Sequence, residues 1–254
     1  MSPRLAFAIE TAFRAGKSTL AHFQTGTEVI TKSDKSPVTI ADRNAERMIR
    51  EAIAETYPNE KILGEEEGGD DTPDRWIIDP IDGTKSFICG VPLYSTLLSY
   101  EQNGRPIVGV CYFPALDQMY TAEIGGGAFC NGRAIQVSAK TKVEGSVVSS
   151  GGHSSMAKYG RAPGLEAIAS KALATRTWAD AYGHALVASG FIEAMTDPIV
   201  SRWDISAMEL IVKEAGGKCT RFDGTDPLKA DNNGRYEMVS SNGLVHDELL
   251  EYFR

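Results

Sequence analysis

The chain has 254 residues, 42% hydrophobic and 24% charged, enough apolar material for a large core in one domain or two packed halves, and too much for a disordered chain. A formal net charge of −8 disfavours general nucleic-acid binding and attachment to an anionic membrane, both of which want a basic face. No apolar segment approaches bilayer-spanning length, the first residues lack the charged-then-apolar layout of a secretory signal, and Cys89, Cys111, Cys130 and Cys219 show no C-x-x-C spacing, so a reduced, cytoplasmic protein is expected.

A helix is predicted over much of Pro3 to Gln24, and a second from Asp42 toward Tyr57 with Ala45, Met48, Ile49 and Ile53 on one face. Two apolar runs follow, Ile62-Leu63-Gly64 and Trp76-Ile77-Ile78, and each reads as a strand that empties into acid. Glu65-Glu66-Glu67 follow the first, Asp79 and Asp82 the second; Pro80 cannot continue a central ladder, so the second strand should stop there. Gly83 and Thr84 then open a helix. Tyr94 to Tyr100, Pro106 to Phe113 and Gln118 to Glu123 form a predicted antiparallel meander, turned at Asn103-Gly104 and at Pro114 to Asp117. Gly125-Gly126-Gly127 and Asn131-Gly132 make a loop and a tight turn; no G-K-[ST] follows, so these glycines are not a phosphate loop. Beyond Gly145, helix signals lie at Pro163 to Ala174, Ala181 to Ser189, Asp204 to Ala215 and Val245 to Tyr252, between short strands. The expected halves are residues 1–144 and 145–254.

The acids define the candidate site. Asp79, Asp82 and the Ile81 carbonyl can be aimed at one point, and hard oxygen ligands suit Mg²⁺. Backbone N–H groups at Gly83 and Thr84 would favour a phosphate. Alone, Asp-Pro-Ile-Asp-Gly-Thr also fits a surface turn. Two further segments deliver acids at element ends, however: Glu65, and Asp204 at the N-cap or first turn of an amphipathic stretch with Ala207, Met208, Leu210, Ile211 and Ala215.

Gly64-Glu65-Glu66, Trp76 through Thr84, and Trp203-Asp204 followed by Glu214-Ala215-Gly216-Gly217 resemble, in order and separation, the signature of the inositol monophosphatase-like superfamily of magnesium-dependent, lithium-sensitive phosphatases. The resemblance runs over nearly the whole chain. It implies an α/β fold, specifically the α+β layered sandwich (αβαβα) of the sugar phosphatases, with the metal site where the halves meet. It also implies two or three Mg²⁺ ions per active site. Glu65, Asp79 and the Ile81 carbonyl would hold the first, Asp79, Asp82 and Asp204 the second, and a weaker third would sit near Glu65. Glu66 and Glu67 read as solvated neighbours. Asp42 matches the acid that hydrogen-bonds the motif threonine, here Thr84. The implied reaction is in-line attack of metal-activated water on a phosphate monoester, with Glu65 or the Thr84–Asp42 pair taking the proton.

Substrate choice is expected from the opposite wall. Superfamily members acting on inositol phosphates typically carry Gly-Thr-Ala or Gly-Ser-Ala around the position of Asp180, whereas Gly-Asp before a Tyr-Gly helix resembles the histidinol-phosphate phosphatase branch; here Ala179 replaces that glycine. Histidinol phosphate carries an ammonium near its ester, and acids at Asp180 and Asp197 would pair with it. Asp180 could instead merely cap its helix. The segment Lys32 to Thr39 also resembles that branch; Lys32 either approaches the metal-site acids or the incoming phosphate or is solvated, the commoner state of a loop lysine. His184 either meets the substrate imidazole or packs. The expected partner is a small phosphorylated metabolite, with relatives often homodimeric. The alternatives are an inositol-1-monophosphatase or broad-specificity phosphatase, a 3′-phosphoadenosine 5′-phosphate phosphatase, and a metal-binding regulatory protein without turnover.

Overall fold

The computed structural model describes residues 1–32 and 37–254, so Ser33 to Ser36 of the segment just named lie outside the described residues. Helix α1 (Pro3–Thr19) starts at Ser2, whose hydroxyl accepts the Leu5 N–H at 3.2 Å. Strands β1 (Val29–Thr31) and β2 (Pro37–Thr39) pair antiparallel. Helix α2 (Ile40–Thr56) begins two residues before the predicted start, because Thr39 and Asp42 form a reciprocal capping box.

An eight-stranded sheet follows, built from β3 (Lys61–Gly64), β4 (Gly68–Gly69), β5 (Arg75–Asp82), β6 (Ser95–Gln102), β7 (Arg105–Phe113), β8 (Gln118–Glu123), β9 (Gly127–Cys130) and β10 (Arg133–Ile135), in the order β10-β9-β8-β7-β6-β5-β3-β4. Helix α3 (Thr84–Ile88) links β5 to β6. The meander is as expected, and Asn103 and Gly104 take φ of 53° and 71°, the paired left-handed conformation of a tight hairpin turn. A five-stranded sheet, in the order β12-β11-β13-β15-β14, contains β11 (Val147–Ser150), β12 (Ala174–Arg176), β13 (Ala194–Val200), β14 (Lys218–Thr220) and β15 (Tyr236–Ser241). With it go α4 (His153–Lys158), α5 (Ala162–Ala169), α6 (Asp180–Ala188), α7 (Arg202–Glu214) and α8 (His246–Glu251).

Alternation along the strands sets the layers. Ile78, Leu98 and Val110 face Ala8, Ala12, Ala45 and Ile49 of α1 and α2. Leu97 and Cys111 point the other way, into a core shared with Ala185 of α6, Ile205, Met208 and Ile211 of α7, and Met195 and Met238 of the second sheet. The far face of that sheet, at Val148, Ala194 and Val239, is covered by Met156, Ile168 and Leu249. The result is the αβαβα layered sandwich. Each fully buried Ile or Met of the central layer contributes about 1.5–3 kcal/mol by leaving water. Among the described residues no helix is long and apolar enough to cross a membrane.

The predicted end of the second acidic strand is wrong. β5 runs on through Pro80 to Asp82, because the ladder with β6 shifts register between Asp79, opposite Leu97, and Asp82, opposite Ser95. This bulge accommodates a residue without an N–H, and the Pro80 carbonyl accepts the Thr96 hydroxyl at 2.9 Å.

Candidate active site

The bulge in β5 builds the site. Two residues separated by three positions on a regular strand face opposite sides; one extra residue restores the phase and turns Asp79 and Asp82 to the same side. Asp204 comes from the first turn of α7, where its Oδ2 accepts the Ser201 N–H at 2.7 Å. Carboxylate oxygens of Asp79, Asp82 and Asp204 all lie within 4.8 Å of one another.

These three acids line a cavity of about 450 Å³ that, among the described residues, is lined by six carboxyl groups, Glu65, Asp79, Asp82, Asp180, Asp197 and Asp204, and by a single lysine, Lys85. Such an excess of negative charge cannot stay ionised without a counter-ion. Burial pushes the Asp79 carboxyl well above the usual carboxylate range, and the neighbouring charges of Glu65, Asp82 and Asp204 push it further. Asp82 is raised by burial and by Asp180 and Asp204, against the pull of the Ala181 N–H at 2.9 Å and the Ser95 hydroxyl at 3.1 Å. Burial also raises Asp204, to about 7. Asp79 Oδ1 is buried with no hydrogen-bond partner among the described residues. A donor set made only of hard oxygens, mutually repelling and with an orphaned lone pair, fits a divalent cation.

Glu65 lines the same cavity but stands outside the trio of aspartates. Its Oε1 accepts Lys32 Nζ at 3.0 Å, and the same ammonium reaches Glu66 Oε1 at 2.7 Å. Lys32 is therefore paired, and the Glu66 carboxyl is only 4% exposed, its acid pushed by burial to about 7. Glu66 is thus not the solvated neighbour expected from sequence, and of the two readings of Lys32 the approach to the acids is the one seen. Glu67 does remain exposed. Thr84 Oγ1 lies 3.2 Å from the Ile81 carbonyl and 3.5 Å from Asp42 Oδ1, while Asp42 Oδ2 is taken by Thr39. Burial raises the Asp42 acid.

Asp180 and Asp197 line the same cavity, not a separate wall as expected, and Asp180 stands beside Gly83 and Asp82. Asp180 is not an N-cap: it is the first residue of α6, held at φ 58°, a left-handed conformation that aspartate tolerates better than most residues. Its Oδ2 sits over Gly83, where an added Cβ would approach it to 2.9 Å. Burial raises Asp180, with Lys85 and the Ser86 hydroxyl pulling the other way. These two partners were missed in the sequence reading. Ala179 is extended, at φ −74° and ψ −175°, so the loss of the family glycine costs nothing there. Asp197 is buried, and burial together with Asp180 and Asp204 holds its acid well above the usual range. His184 packs: it is buried, bonds Ser240 Oγ through Nδ1 at 2.7 Å, and is lowered by burial to about 3.

Comparison with known proteins identifies the family. The profile described as the inositol monophosphatase family matches residues 1–254. A histidinol-phosphatase of Chlorobaculum parvum is 42% identical, covering 98% of this chain and 96% of the relative. A histidinol-phosphatase of Mycobacterium tuberculosis is 35% identical, covering 97% and 96%. Among solved structures, the IMPase of Thermotoga maritima superposes with a TM-score of 0.89 at 34% identity, covering 99% of this chain and 97% of the other. The chain belongs to the inositol monophosphatase family and is a phosphoric monoester hydrolase.

Proposed function

We propose that this protein hydrolyses histidinol phosphate to histidinol and phosphate, using two or three Mg²⁺ ions held by Glu65, Asp79, the Ile81 carbonyl, Asp82 and Asp204. The observation that carries the metal assignment is the trio of carboxylates, Asp79 and Asp82 buried and Asp204 partly buried, whose oxygens lie within 4.8 Å of one another. Bound Mg²⁺ supplies charge neutralisation for the phosphoryl group and the leaving alkoxide, and acidifies water. The backbone N–H groups of Gly83 and Thr84 offer donors to the phosphate. The proton released by the attacking water goes to a Glu65 carboxylate oxygen, or to Thr84 Oγ1 as that hydroxyl passes its own proton to Asp42 Oδ1 at 3.5 Å. No residue needs to be phosphorylated.

The substrate assignment is supported by Asp180 and Asp197, a partly buried and a buried acid on the same cavity, and by the names of the two histidinol-phosphatases above. An ammonium would relieve the desolvation both acids suffer, whereas a neutral polyol would leave it uncompensated. A phosphate-release assay with Mg²⁺ should rank histidinol phosphate above inositol monophosphates and 3′-phosphoadenosine 5′-phosphate in kcat/KM. Preference for an uncharged polyol would overturn the substrate and leave the reaction class standing. Retained activity of Asp79→Asn at limiting Mg²⁺ would overturn the metal set.

A further inference from the structure

Glu46 lies one helical turn beyond Asp42 on α2 and is fully buried, a position that charged side chains occupy only when their oxygens are engaged. Here they are. Oε2 accepts the Glu66 N–H at 2.8 Å; Oε1 accepts the Glu67 N–H at 3.1 Å and Arg50 Nε at 2.8 Å. Arg50, a further turn along, also donates to the Gly68 carbonyl. The loop that carries Glu65 is therefore tied to one face of α2 on its C-terminal side, while the Glu65 N–H itself is tied to the Ile78 carbonyl of β5 at 3.1 Å. Gly64 completes the fit, because a Cβ there would stand 2.2 Å from Glu46 Oε1.

We propose that Glu46, braced by Arg50, is a positioning residue that sets where Glu65 enters the acid cluster, and so sets the affinity of the site for its cation without touching it; this role rests on the cation-binding reading above. Helix α2 would then serve the site twice, through Asp42 at Thr84 and through Glu46 at Glu65. Both attachments lie on one helix face, and a helix is a stiffer support than the six-residue segment from Gly64 to Gly69.

The test is titration calorimetry of the metal-free, full-length protein with Mg²⁺ alone. Glu46→Gln keeps the shape but turns an NH₂ toward one of the two loop amides; it should raise the Mg²⁺ Kd by about tenfold or more, the range seen for residues that orient ligands. Activity of Glu46→Gln should recover at saturating Mg²⁺, which Asp79→Asn should not do. Arg50→Gln, milder and partly exposed, should raise Kd severalfold, and decides the matter if Glu46→Gln does not fold. A folded variant of this pair that binds Mg²⁺ within twofold of the unsubstituted protein overturns the inference. Absence of Mg²⁺ binding by the unsubstituted protein is a different failure, one that removes the metal reading itself.

Discussion

Replacing Asp204 by Asn should make the metal-free protein more stable. Two unit charges 4.8 Å apart, the greatest separation within the trio, repel by about 3.5 kcal/mol at an effective dielectric of 20. The raised pKa gives a similar figure: lifting Asp204 from the usual 3.8 to about 7 costs the folded state roughly 4 kcal/mol at 1.36 kcal/mol per unit. This is an upper figure, since Asp204 keeps part of its surface open to the cavity. The sign is set by a folded-state value above the unfolded one: stability is full below about pH 4 and is lost as pH rises through 7. Asparagine removes the loss, and its amide oxygen can still accept the Ser201 N–H. In EDTA, then, Asp204→Asn should melt at nearly the wild-type temperature at pH 4 and roughly 10 °C above it at pH 8. Adding Mg²⁺ to a hundred times Kd should stabilise the wild type by about 2.7 kcal/mol and leave the variant almost unmoved. Calorimetric melts across pH, with and without metal, measure both effects. A variant that is less stable than the wild type at pH 8 in EDTA, or a difference that ignores pH, would refute the picture of acids whose mutual repulsion destabilises the metal-free fold.

Asp180→Asn should lower kcat/KM for histidinol phosphate about tenfold or more through loss of one charge-assisted hydrogen bond, while turnover of an aryl phosphate stays level; parallel loss on both esters would make Asp180 a fold residue. Arg202→Met leaves Glu101 fully buried without the guanidinium whose Nε donates to it at 2.7 Å, and urea denaturation should show a loss of about 3–5 kcal/mol. For His184, lowered to about 3, stability is present above the unfolded value near 6.5 and falls as pH drops toward 3. In Mg²⁺-loaded protein, wild type should therefore lose about 2 kcal/mol more than His184→Gln between pH 6.5 and 5; equal losses would show that the ring is not held neutral.

The four acids Glu65, Asp79, Asp82 and Asp204 and the hydroxyl of Thr84 were legible because a cluster of hard oxygen ligands at element ends restricts residue type, and the structure puts all five residues on one cavity. The meander was legible because its turn residues must take positive φ. What escaped was set by register and by tertiary contact. Pro80 looked like a strand end, since nothing local announces that Thr96 will be skipped across the ladder. Asp180 looked like a cap, because a cap and a left-handed first residue share the same amino-acid preference. Glu46 carried one faint cue, its four-residue spacing from Asp42, but a glutamate on an amphipathic helix ordinarily faces water, and its partners lie 20 and 21 residues away.

The extra residue in β5 has an arithmetic consequence. Odd and even positions of a pleated ribbon look in opposite directions, so the count of residues between Asp79 and Asp82 matters as much as their chemistry. Pairing the same residues in regular register, without the bulge, would leave both aspartates in the sequence yet put them at opposite parity, one looking into the cavity and the other away from it. A relative that kept every acid but straightened this stretch would be disarmed by geometry alone.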